Sequence, residues 1–378
     1  MTGVHTIMVA AGGTGGHIFP AVALMQVLAA RGHRIAFVTD SRGAAIGPET
    51  LSLPANVSCH TVPAGRIGGG LLRTMRGGLD IIAGTFAARR LIRRIGPEIA
   101  VGFGGYPSVP PMLAAGMAGV PTIIHEQNAV LGRANRRLAR AAAAFALSFA
   151  GTRGVETFSN VVTKIVGNPV RADIAVLRDR PYVAPRGAID LLIMGGSLGA
   201  HIFAEIVPAA FAQLDAALRR RFRVTQQCRP EDIEATRTAY RGLDMAVELA
   251  PFFDDVPTRL AHAHLVVCRA GASTVAELTT AGRPALYVPY PHAADDHQTA
   301  NARAIETAGG AWVMPQPEFT AGALAGWLEG AAEEPETLTK VAAAARAAAH
   351  PDAAGQLADM VEELLPANGR NGYAEAAE

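Results

Sequence analysis

The sequence predicts an α/β protein built from two Rossmann-like domains, and three observations support this prediction. Short runs of valine, isoleucine, leucine and alanine alternate with longer helical stretches, as in parallel α/β units. The alternation begins twice, at the N-terminus and again near Asp190. Each series contains a glycine loop directly after an apolar strand, at residues 12–17 and 195–201. Two such domains facing each other across a cleft is the simplest architecture that this pattern predicts.

The composition excludes several classes of protein. The chain has 378 residues, enough for two domains with a core each. Half of the residues are hydrophobic and 18% are charged, which excludes a wholly disordered chain. Because 34 basic residues nearly balance 33 acidic ones, we expect no nucleic-acid partner. The three cysteines, Cys59, Cys228 and Cys268, have no metal-ligand spacing and predict buried thiols in a reducing cytosol.

Neither a leader peptide nor a membrane span is predicted. The N-terminal stretch 1–17 lacks a basic region and reaches its glycines after one short apolar run, which indicates a first strand. The uncharged stretch 99–124 is long enough to cross a bilayer, but glycines and prolines interrupt it. We therefore expect it to form a strand, a loop, a helix and a second strand.

The apolar runs predict eleven strands. Those of the first half are Thr6–Ala10, Arg34–Thr39, Glu98–Gly102, Thr122–His125, Ala144–Ser148 and Lys164–Val166. Those of the second half are Asp190–Met194, Arg223–Gln227, Ala246–Leu249, Leu265–Cys268 and Ala285–Val288. Helices are expected between them, for example Pro20–Ala30 and Ser108–Ala118.

A polar, proline-containing stretch that starts at Gly167 and ends at Pro185 marks the predicted domain junction. The resulting division has an N-terminal domain at 1–167 and a C-terminal domain at 168–350. A helix within 351–366 is expected to pack back toward the N-terminal domain, and the small, polar residues 367–378 predict a disordered tail.

The glycine loops predict a phosphorylated ligand, because a loop between a strand and a helix lets backbone N–H groups approach an anion. Neither loop is a P-loop, since neither contains the required Gly-Lys pair. The dinucleotide fingerprint also fails, at Ile18 in the first loop and at Ser197 in the second. Asp40 nevertheless ends the second strand, where a ribose-binding carboxylate would stand. A polar turn residue is the favoured explanation of Asp40, and a NAD-dependent oxidoreductase stays open as the alternative.

The second half contains further chemistry. Residues 268–277 read as a strand end, a turn of small residues and a helix that starts near Ser273. Glu277 is placed to accept hydrogen bonds from a ribose diol, and the alternative is an acidic residue favoured by the helix dipole in the first turn. Residues 289–302 concentrate polar side chains after a strand, at the edge where open α/β sheets bind ligands.

Seven strings along the chain together resemble the MurG family of glycosyltransferases. They are AGGTGGHIFPA (11–21), GFGGYPSVP (102–110), HEQNAVLGRANR (125–136), GNPVR (167–171), GGSLGA (195–200), CRAGASTVAEL (268–278) and PHAADDHQTANA (291–302). The resemblance implies the GT-B fold. It implies transfer of N-acetylglucosamine from UDP-N-acetylglucosamine to the 4-hydroxyl of the lipid-linked muramoyl-pentapeptide precursor of peptidoglycan.

The resemblance also implies roles for individual residues. Thr14, Gly15 and Gly16 would face the donor sugar and the acceptor, while Asn128 and Gln298 would contact the N-acetylglucosamine. The residues implied for the rest of the donor are Arg171 and Phe253 beside the uracil, Ser197 at the pyrophosphate, Ala272, Ser273 and Thr274 along the donor, and Glu277 at the ribose. One departure is Leu198, where the family often has glutamine.

The implied reaction inverts the anomeric configuration, so one in-line displacement needs a base for the acceptor hydroxyl. His17 is the first candidate because its ordinary pKa suits that task, and Glu126 is the alternative. His17 can instead be a histidine that only orients the loop. No carboxylate pair stands in a glycine-loop context, so we expect neither a metal nor another cofactor. A protein that binds the UDP-sugar without turnover is a further alternative.

The acceptor implied by the resemblance is anchored in a membrane, and one segment suits a membrane surface. Residues 66–94 carry seven arginines and one aspartate. Apolar residues recur there at helical spacing, at Leu72, Met75, Leu79, Ile82 and Phe86. This pattern favours peripheral attachment to the cytoplasmic face of the inner membrane, while an ordinary helix with its stripe in the core is the alternative.

Overall fold

A computed structural model describes residues 3–13, 15–47, 49–65, 71–196 and 199–365, with side chains of the helix that starts at Leu71 described from Met75 onward. The predicted tail at 367–378 lies outside the described residues. The chain forms two compact units, which we call unit 1 and unit 2. Unit 1 comprises Met1–Arg171 together with Asp352–Glu378, and unit 2 comprises Ala172–Pro351.

Unit 1 contains a parallel sheet of seven strands. In chain order they are β1 (Thr6–Ala10), β2 (Arg34–Thr39), β3 (Val57–Thr61), β4 (Ile99–Gly102), β5 (Thr122–Glu126), β6 (Ala144–Leu147) and β7 (Val162–Ile165). The strand order is β3-β2-β1-β4-β5-β6-β7. The chain therefore reverses its direction of travel between β1 and β4, which is the point where open α/β sheets bind their ligands.

The helices of unit 1 follow the strands as crossover connections. They are α1 (Gly15–Ala30), α2 (Ser41–Ala44), α3 (Leu71–Ile95), α4 (Val109–Met117) and α5 (Arg133–Leu138). Alternate residues of β1 face opposite sides of the sheet, as the strand period of two requires. Ile7 and Val9 belong to the hydrophobic cluster that includes α1, whereas Met8 and Ala10 belong to the cluster that includes α3 and α4.

Unit 2 contains a second parallel sheet, of six strands. They are β8 (Ile189–Met194), β9 (Phe222–Gln227), β10 (Ala246–Ala250), β11 (Leu265–Cys268), β12 (Ala285–Tyr287) and β13 (Trp312–Val313). Their order is β10-β9-β8-β11-β12-β13, so β8 and β11 flank the corresponding reversal.

The helices of unit 2 continue the numbering to α14. They are α6 (Ala172–Ala175), α7 (His201–Gln213), α8 (Ala216–Arg219), α9 (Ile233–Tyr240), α10 (Val256–His262), α11 (Ala272–Ala281), α12 (His297–Thr307), α13 (Ala321–Glu333) and α14 (Pro335–Ala347).

The last described helix, α15 (Ala353–Glu363), belongs to unit 1 and packs against α1. Its buried residues Leu357 and Met360 join the same cluster as Ile7. Polar contacts flank this packing, because Arg31 pairs with Asp359 at 2.7 Å and Glu362 also accepts from Arg31 at 2.7 Å. The C-terminal helix thus completes the core on one face of the unit 1 sheet.

All eleven predicted strands are confirmed to within three residues at each end, and two further strands exist. β3 is a half-exposed strand at the sheet edge with a mixed polar sequence, so it lacks the apolar run that identified the others. It exposes Cys59, and the prediction that all three cysteines are buried is therefore wrong. The predicted start of α1 at Pro20 is also wrong, since the helix begins at Gly15 and Pro20 lies inside it.

The long helix α3 presents an apolar stripe to solvent. Met75, Leu79, Ile82 and Phe86 are 55–65% exposed. The alternative in which this stripe enters the core is therefore wrong for these four residues, and Leu72 lies outside the described side chains. Among the helices of the described residues, none combines the length and apolar content needed to cross a bilayer.

Candidate active site

The first glycine loop leads from β1 directly into α1. Gly15 and Gly16 are the first two residues of that helix, and His17 follows in its first turn, half-buried. Thr14 lies outside the described residues. The N–H groups of the first helical turn have no intrahelical partner, so this end of α1 suits a ligand with acceptor oxygens.

His17 belongs to a hydrogen-bonded group at the carboxyl end of the sheet. Its Nδ1 lies 3.1 Å from Oε1 of Gln127. The amide nitrogen of Gln127 lies 2.9 Å from the Phe103 carbonyl and 3.0 Å from Nδ1 of His125. Nε2 of His125 in turn lies 3.0 Å from the carbonyl of Gly167. The histidine on α1 is thereby connected to chain segments that follow β4, β5 and β7.

Burial makes His125 a neutral ring. It is fully buried, and the loss of hydration lowers the pKa of His125 to about 4, while the hydrogen bond to the Gly167 carbonyl opposes this shift and the nearby His17 adds to it. The ring therefore donates from one nitrogen and accepts at the other at neutral pH.

Glu126, the alternative base, is a buried carboxylate that organises the loop after β5. Oε1 accepts from the backbone N–H and the side-chain amide of Asn128, at 3.0 and 3.2 Å. Oε2 accepts from the N–H of Gly132 and the amide of Asn135, both at 2.8 Å. These four bonds set the position of Asn128, which stands at the same strand end as Gln127.

Arg171 is the last residue of unit 1 before the chain enters unit 2. Its guanidinium carbon lies 5.3 Å from the centre of the Phe19 ring, within cation–π distance. Because Phe19 lies in the second turn of α1, this contact places Arg171 beside the helix that carries His17.

In unit 2 the second glycine loop is held by one amide side chain. Oε1 of Gln227 accepts from the N–H of Gly195 at 3.1 Å, and its Nε2 donates to the carbonyls of Gly196 at 3.1 Å and of Pro251 at 3.3 Å. Ser197 and Leu198 lie outside the described residues. Gln227 thus joins the glycine loop to the segment that carries Phe253.

Two side chains of α12 hold the turn before α11. Oε1 of Gln298 accepts from the N–H of Ala270 at 3.2 Å and from the N–H of Tyr290 at 3.0 Å. The amide of the buried Asn301 donates to the carbonyl of Ala270 at 3.1 Å. Both backbone groups of Ala270 are therefore engaged by one helix.

Helix α11 starts at Ala272, with Gly271 as its N-cap residue and Ser273 and Thr274 in its first turn. Glu277 lies in the second turn, half-buried. The reading of Glu277 as an acidic residue of the first turn is therefore wrong, because the helix contains no acidic residue there.

A buried arginine supports this edge of the sheet. Arg269 donates to the carbonyls of Val288 and Pro289, at 3.0 and 3.1 Å, and to Oε1 of Gln316 at 2.6 Å. Desolvation lowers the pKa of Arg269, and its three acceptors are all neutral. The ends of β11 and β12 are thereby held together beneath the polar loop at 289–302.

The two neighbouring phenylalanines after β10 differ in environment. The side chain of Phe253 is 6% exposed, and the guanidinium carbon of Arg259 lies 4.0 Å from its ring centre. Phe252 is 70% exposed. The ring of Phe253 is therefore engaged in packing, whereas the ring of Phe252 is exposed.

The structure gives Asp40 a local role. Its Oδ1 accepts from the N–H of Gly43 at 3.0 Å as the N-cap of α2, and its Oδ2 accepts from Arg42 at 2.9 Å. Both oxygens of this buried carboxylate serve the turn. The oxidoreductase alternative thus loses the residue on which it was based.

Sequence reasoning identified the strings that contain these residues but missed four supporting side chains. Gln127, Gln227, Arg269 and Asn301 were not assigned roles. The first three stand at or directly after the carboxyl end of a buried strand, and that position in a parallel sheet was the available signal.

Comparison with known proteins identifies the class. The model of the glycosyltransferase family 28 N-terminal domain matches residues 7–147, and that of the C-terminal domain matches residues 190–357. Each match covers most of one of the two Rossmann-like sheets described above, and β7 of unit 1 lies outside the N-terminal match. The fold and the two loop-and-helix sites thus define a family 28 glycosyltransferase.

Individual relatives identify the family more closely than the domain matches do. One relative, from Rhodospirillum centenum, is 53% identical over 94% of this chain and 93% of that protein. It is named UDP-N-acetylglucosamine–N-acetylmuramyl-(pentapeptide) pyrophosphoryl-undecaprenol N-acetylglucosamine transferase. A protein of the same name from Paramagnetospirillum magneticum is also 53% identical, over 95% of this chain and 97% of that protein. The crystal structure of Acinetobacter baumannii MurG is 32% identical, with a TM-score of 0.74 over 95% of this chain and 100% of that one. The chain belongs to the MurG family.

Other solved structures share the fold alone. A UDP-N-acetylglucosamine 2-epimerase from Neisseria meningitidis is 12% identical with a TM-score of 0.68, over 95% of this chain and 99% of that one. The GT-B fold by itself therefore does not distinguish a transferase from an epimerase, and the family assignment depends on the sequence identity.

The neutral state of His125 predicts a pH dependence of stability. Its pKa is about 4 in the folded protein against 6.5 for the unperturbed group, so the unfolded chain binds the extra proton between these values. The free energy of unfolding should therefore fall as the pH drops from 6.5 to 4, by about 3 kcal/mol from this residue. Denaturant titrations across this window measure the slope.

The variant His125→Gln should show a smaller slope in that window, because it lacks the titrating ring. His262→Gln, which changes an exposed histidine in unit 2, serves as the control and should keep the wild-type slope. An unchanged slope in His125→Gln would contradict the assignment.

Proposed function

We propose that this protein transfers N-acetylglucosamine from UDP-N-acetylglucosamine to the 4-hydroxyl of undecaprenyl-pyrophosphoryl-N-acetylmuramoyl-pentapeptide, with inversion at the anomeric carbon. The observation that carries the proposal is the 53% identity, over 94% of the chain, to a relative named for this reaction. The two supported glycine-loop sites are the parts that such a reaction needs, one for a nucleotide sugar and one for the attacking hydroxyl.

Unit 2 is the proposed donor side. The first turn of α11 has no acidic residue, so its N–H groups and helix dipole favour an anionic ligand. Glu277 stands one turn further along the same helix, half-buried, and is the proposed acceptor for the ribose diol. The backbone N–H groups of Ala270 and Tyr290 fix the side-chain oxygen of Gln298 at this edge of the sheet, which supports its proposed contact with the N-acetylglucosamine. The remaining donor contacts are proposed at Arg171, Ser197, Phe253, Ala272, Ser273 and Thr274.

Unit 1 is the proposed acceptor side, with His17 as the base and Gly15, Gly16, Thr14 and Asn128 near the transferred sugar. A histidine with an ordinary pKa is suited to remove the proton of a hydroxyl near neutral pH. Glu126 is less suited, because four hydrogen bonds engage both of its oxygens. Its proposed role is to position Asn128.

The proposed contact between Glu277 and the ribose predicts how strongly variants bind UDP. Glu277→Ala should weaken UDP affinity about 10- to 100-fold, since a hydrogen bond to a charged group contributes about 1.5–3 kcal/mol. Titration calorimetry with UDP and with 2′-deoxy-UDP measures the effect.

The wild-type protein should prefer UDP to its 2′-deoxy analogue, and Glu277→Ala should lose that preference. The matched control is Glu234→Ala, an exposed first-turn glutamate of α9 in the same unit, which should behave like the wild type. A preference that survives in Glu277→Ala would mean that another group holds the ribose.

The assignment of His17 as the base predicts how much turnover its variants lose. His17→Gln should lower kcat about 10²- to 10⁴-fold, because general base catalysis contributes that much, and should leave the affinity for UDP-N-acetylglucosamine within twofold. The assay is transfer of radiolabelled sugar from UDP-N-acetylglucosamine to the lipid-linked acceptor.

The comparison variant is Glu126→Gln. If His17→Gln keeps more than a tenth of the wild-type rate while Glu126→Gln loses about 10²-fold or more, the base is not His17. A wild-type protein that binds the donor tightly but turns over no acceptor would contradict the transferase itself.

We also propose that α3 attaches the protein to the cytoplasmic face of the inner membrane. The exposed stripe of Met75, Leu79, Ile82 and Phe86 supplies apolar area. α4, which packs against α3, exposes Met117 as well. The exposed arginines of α3 suit anionic lipid headgroups, and they are Arg76, Arg89, Arg90, Arg93 and Arg94.

This proposal predicts how the protein binds vesicles that contain anionic phospholipid. Charge reversal at Arg89, Arg90, Arg93 and Arg94 should lower the partition coefficient at least about 100-fold, since each basic residue near such a surface contributes about 1 kcal/mol. Leu79→Ser with Ile82→Ser should also lower it, and cosedimentation measures both.

The matched control for the apolar pair is Val176→Ser with Val183→Ser, which removes equally exposed apolar residues from unit 2. That control should bind like the wild type. If the variants of α3 bind as well as the control, the helix is not the attachment site.

A further inference from the structure

The hydrogen bonds around Gln127 form a chain in which every proton can be placed. It runs from the carbonyl of Gly167 through His125 and Gln127 to His17. A backbone carbonyl only accepts, so the chain has a fixed direction from its first member.

His125 must donate from Nε2, because its partner there is the Gly167 carbonyl. Since burial keeps this ring neutral, its Nδ1 is left as an acceptor. Nδ1 faces the side chain of Gln127 at 3.0 Å. Gln127 must therefore present its amide nitrogen to His125.

The other neighbours of Gln127 require the same orientation. Its nitrogen lies 2.9 Å from the carbonyl of Phe103 and 3.2 Å from the carbonyl of His125. A flipped amide would place its oxygen against both carbonyls, so only one orientation is compatible with the site. Oε1 is then directed at Nδ1 of His17, at 3.1 Å.

An amide oxygen accepts and cannot donate, so Nδ1 of His17 must carry the proton. We propose that Gln127 is a positioning residue for the transfer reaction, which holds neutral His17 as the Nδ1–H tautomer so that Nε2 bears the basic lone pair. The proposal deepens the proposed function and rests on it for the role of His17 as base.

The surroundings of the ring are consistent with a reacting Nε2. A Cβ atom at position 105 would lie 3.2 Å from Cδ2 and 3.5 Å from Nε2 of His17, and residue 105 is a glycine with φ of +71°. The backbone there needs the left-handed conformation that glycine adopts freely, and the missing side chain leaves the Nε2 edge of the ring uncrowded by residue 105.

The proton balance of the step follows directly. As the acceptor oxygen forms its bond to the anomeric carbon, its proton passes to Nε2 of His17. The bond between the anomeric carbon and the pyrophosphate oxygen breaks, and UDP leaves with that electron pair. The resulting imidazolium keeps its Nδ1–H bond to Gln127, whose oxygen stabilises the new charge.

Gln127 is neutral, so it orients His17 without the rise in basicity that a carboxylate partner would cause. The titratable and charged groups around His17 include His125 and Glu126 of β5, Tyr106 after Gly105, and Arg171 beside Phe19 of α1. Of these, His125 is neutral and the oxygens of Glu126 are directed at the loop ending in α5. The substitution Gln127→Glu should therefore raise the pKa of His17.

The test is ¹⁵N NMR of the full chain labelled at histidine, which distinguishes Nδ1–H, Nε2–H and doubly protonated rings. Signals of His17 and His125 are assigned by their loss in His17→Gln and His125→Gln. At pH 8 the wild type should show His17 as Nδ1–H and His125 as Nε2–H. Gln127→Met should convert His17 to a mixture of tautomers.

Gln127→Glu is nearly isosteric and gives the second readout. The pKa of His17 in the spectra, and the acidic limb of the pH profile of kcat, should both move up by about one unit or more, with KM for the donor within twofold. Gln26→Glu, on the exposed side of α1, is the matched control and should change neither.

A wild-type His17 in the Nε2–H form would overturn the proposal, and so would a tautomer or a pKa that does not respond to Gln127→Met and Gln127→Glu. The wild-type spectrum tests the proposal even if a variant fails to fold. Should His17→Gln keep its turnover while the wild-type spectrum shows Nδ1–H, the base assignment falls and the role of Gln127 in fixing the tautomer stands.

Discussion

The side chain of Gln127 connects parts of unit 1 that are far apart in the sequence. Its nitrogen donates to the carbonyl of Phe103 after β4 and to His125 in β5, and its oxygen faces His17 in α1. Because most of this network is buried, breaking it would leave polar groups unsatisfied in a medium of low dielectric constant. The position of His17 is thereby linked to the ends of strands β4 and β5.

Unit 2 uses the same device with different residues. Gln227 fixes the second glycine loop, and Gln298 with Asn301 fixes both backbone groups of Ala270. An amide can donate and accept at once without adding charge. A carboxylate in these places would repel the pyrophosphate of the proposed donor, and a cation would compete with the backbone N–H groups for it. Because these amide side chains are neutral, the helix termini determine the electrostatic potential at the site. The partial charges of the helix termini favour anions without a mobile side chain.

The sequence predicted the fold well, since buried parallel strands are continuous apolar runs and glycine loops mark their ends. The prediction failed at β3, whose edge position permits a polar sequence. It also failed at the start of α1, because Pro20 suggested that the helix begins there, whereas the helix begins at Gly15. Within the site, the string His-Glu-Gln-Asn identified the location but not the roles. Whether Glu126 acts as a base or as a scaffold depends on which donors fold back onto it, and Gly132 and Asn135 reach it only because of a loop conformation that no spacing rule encodes.

The helix α3 shows what the spacing of apolar residues does not predict. Apolar residues at three- and four-residue spacing predict that side chains share a face, but the spacing does not say which medium that face meets. The structure resolves the ambiguity, because the face of α3 that packs on the unit contains Ala88, Leu91 and Ile92, which are buried in its core. Gly84 permits a close approach to the unit, since a Cβ atom there would lie only 2.0 Å from the carbonyl oxygen of Pro63. The stripe described above is exposed instead. Burying one such side chain contributes about 1.5–3 kcal/mol, so exposing four of them forgoes several kcal/mol. In the attachment proposed above, that free energy is recovered at a bilayer surface, next to the arginines at the end of the same helix.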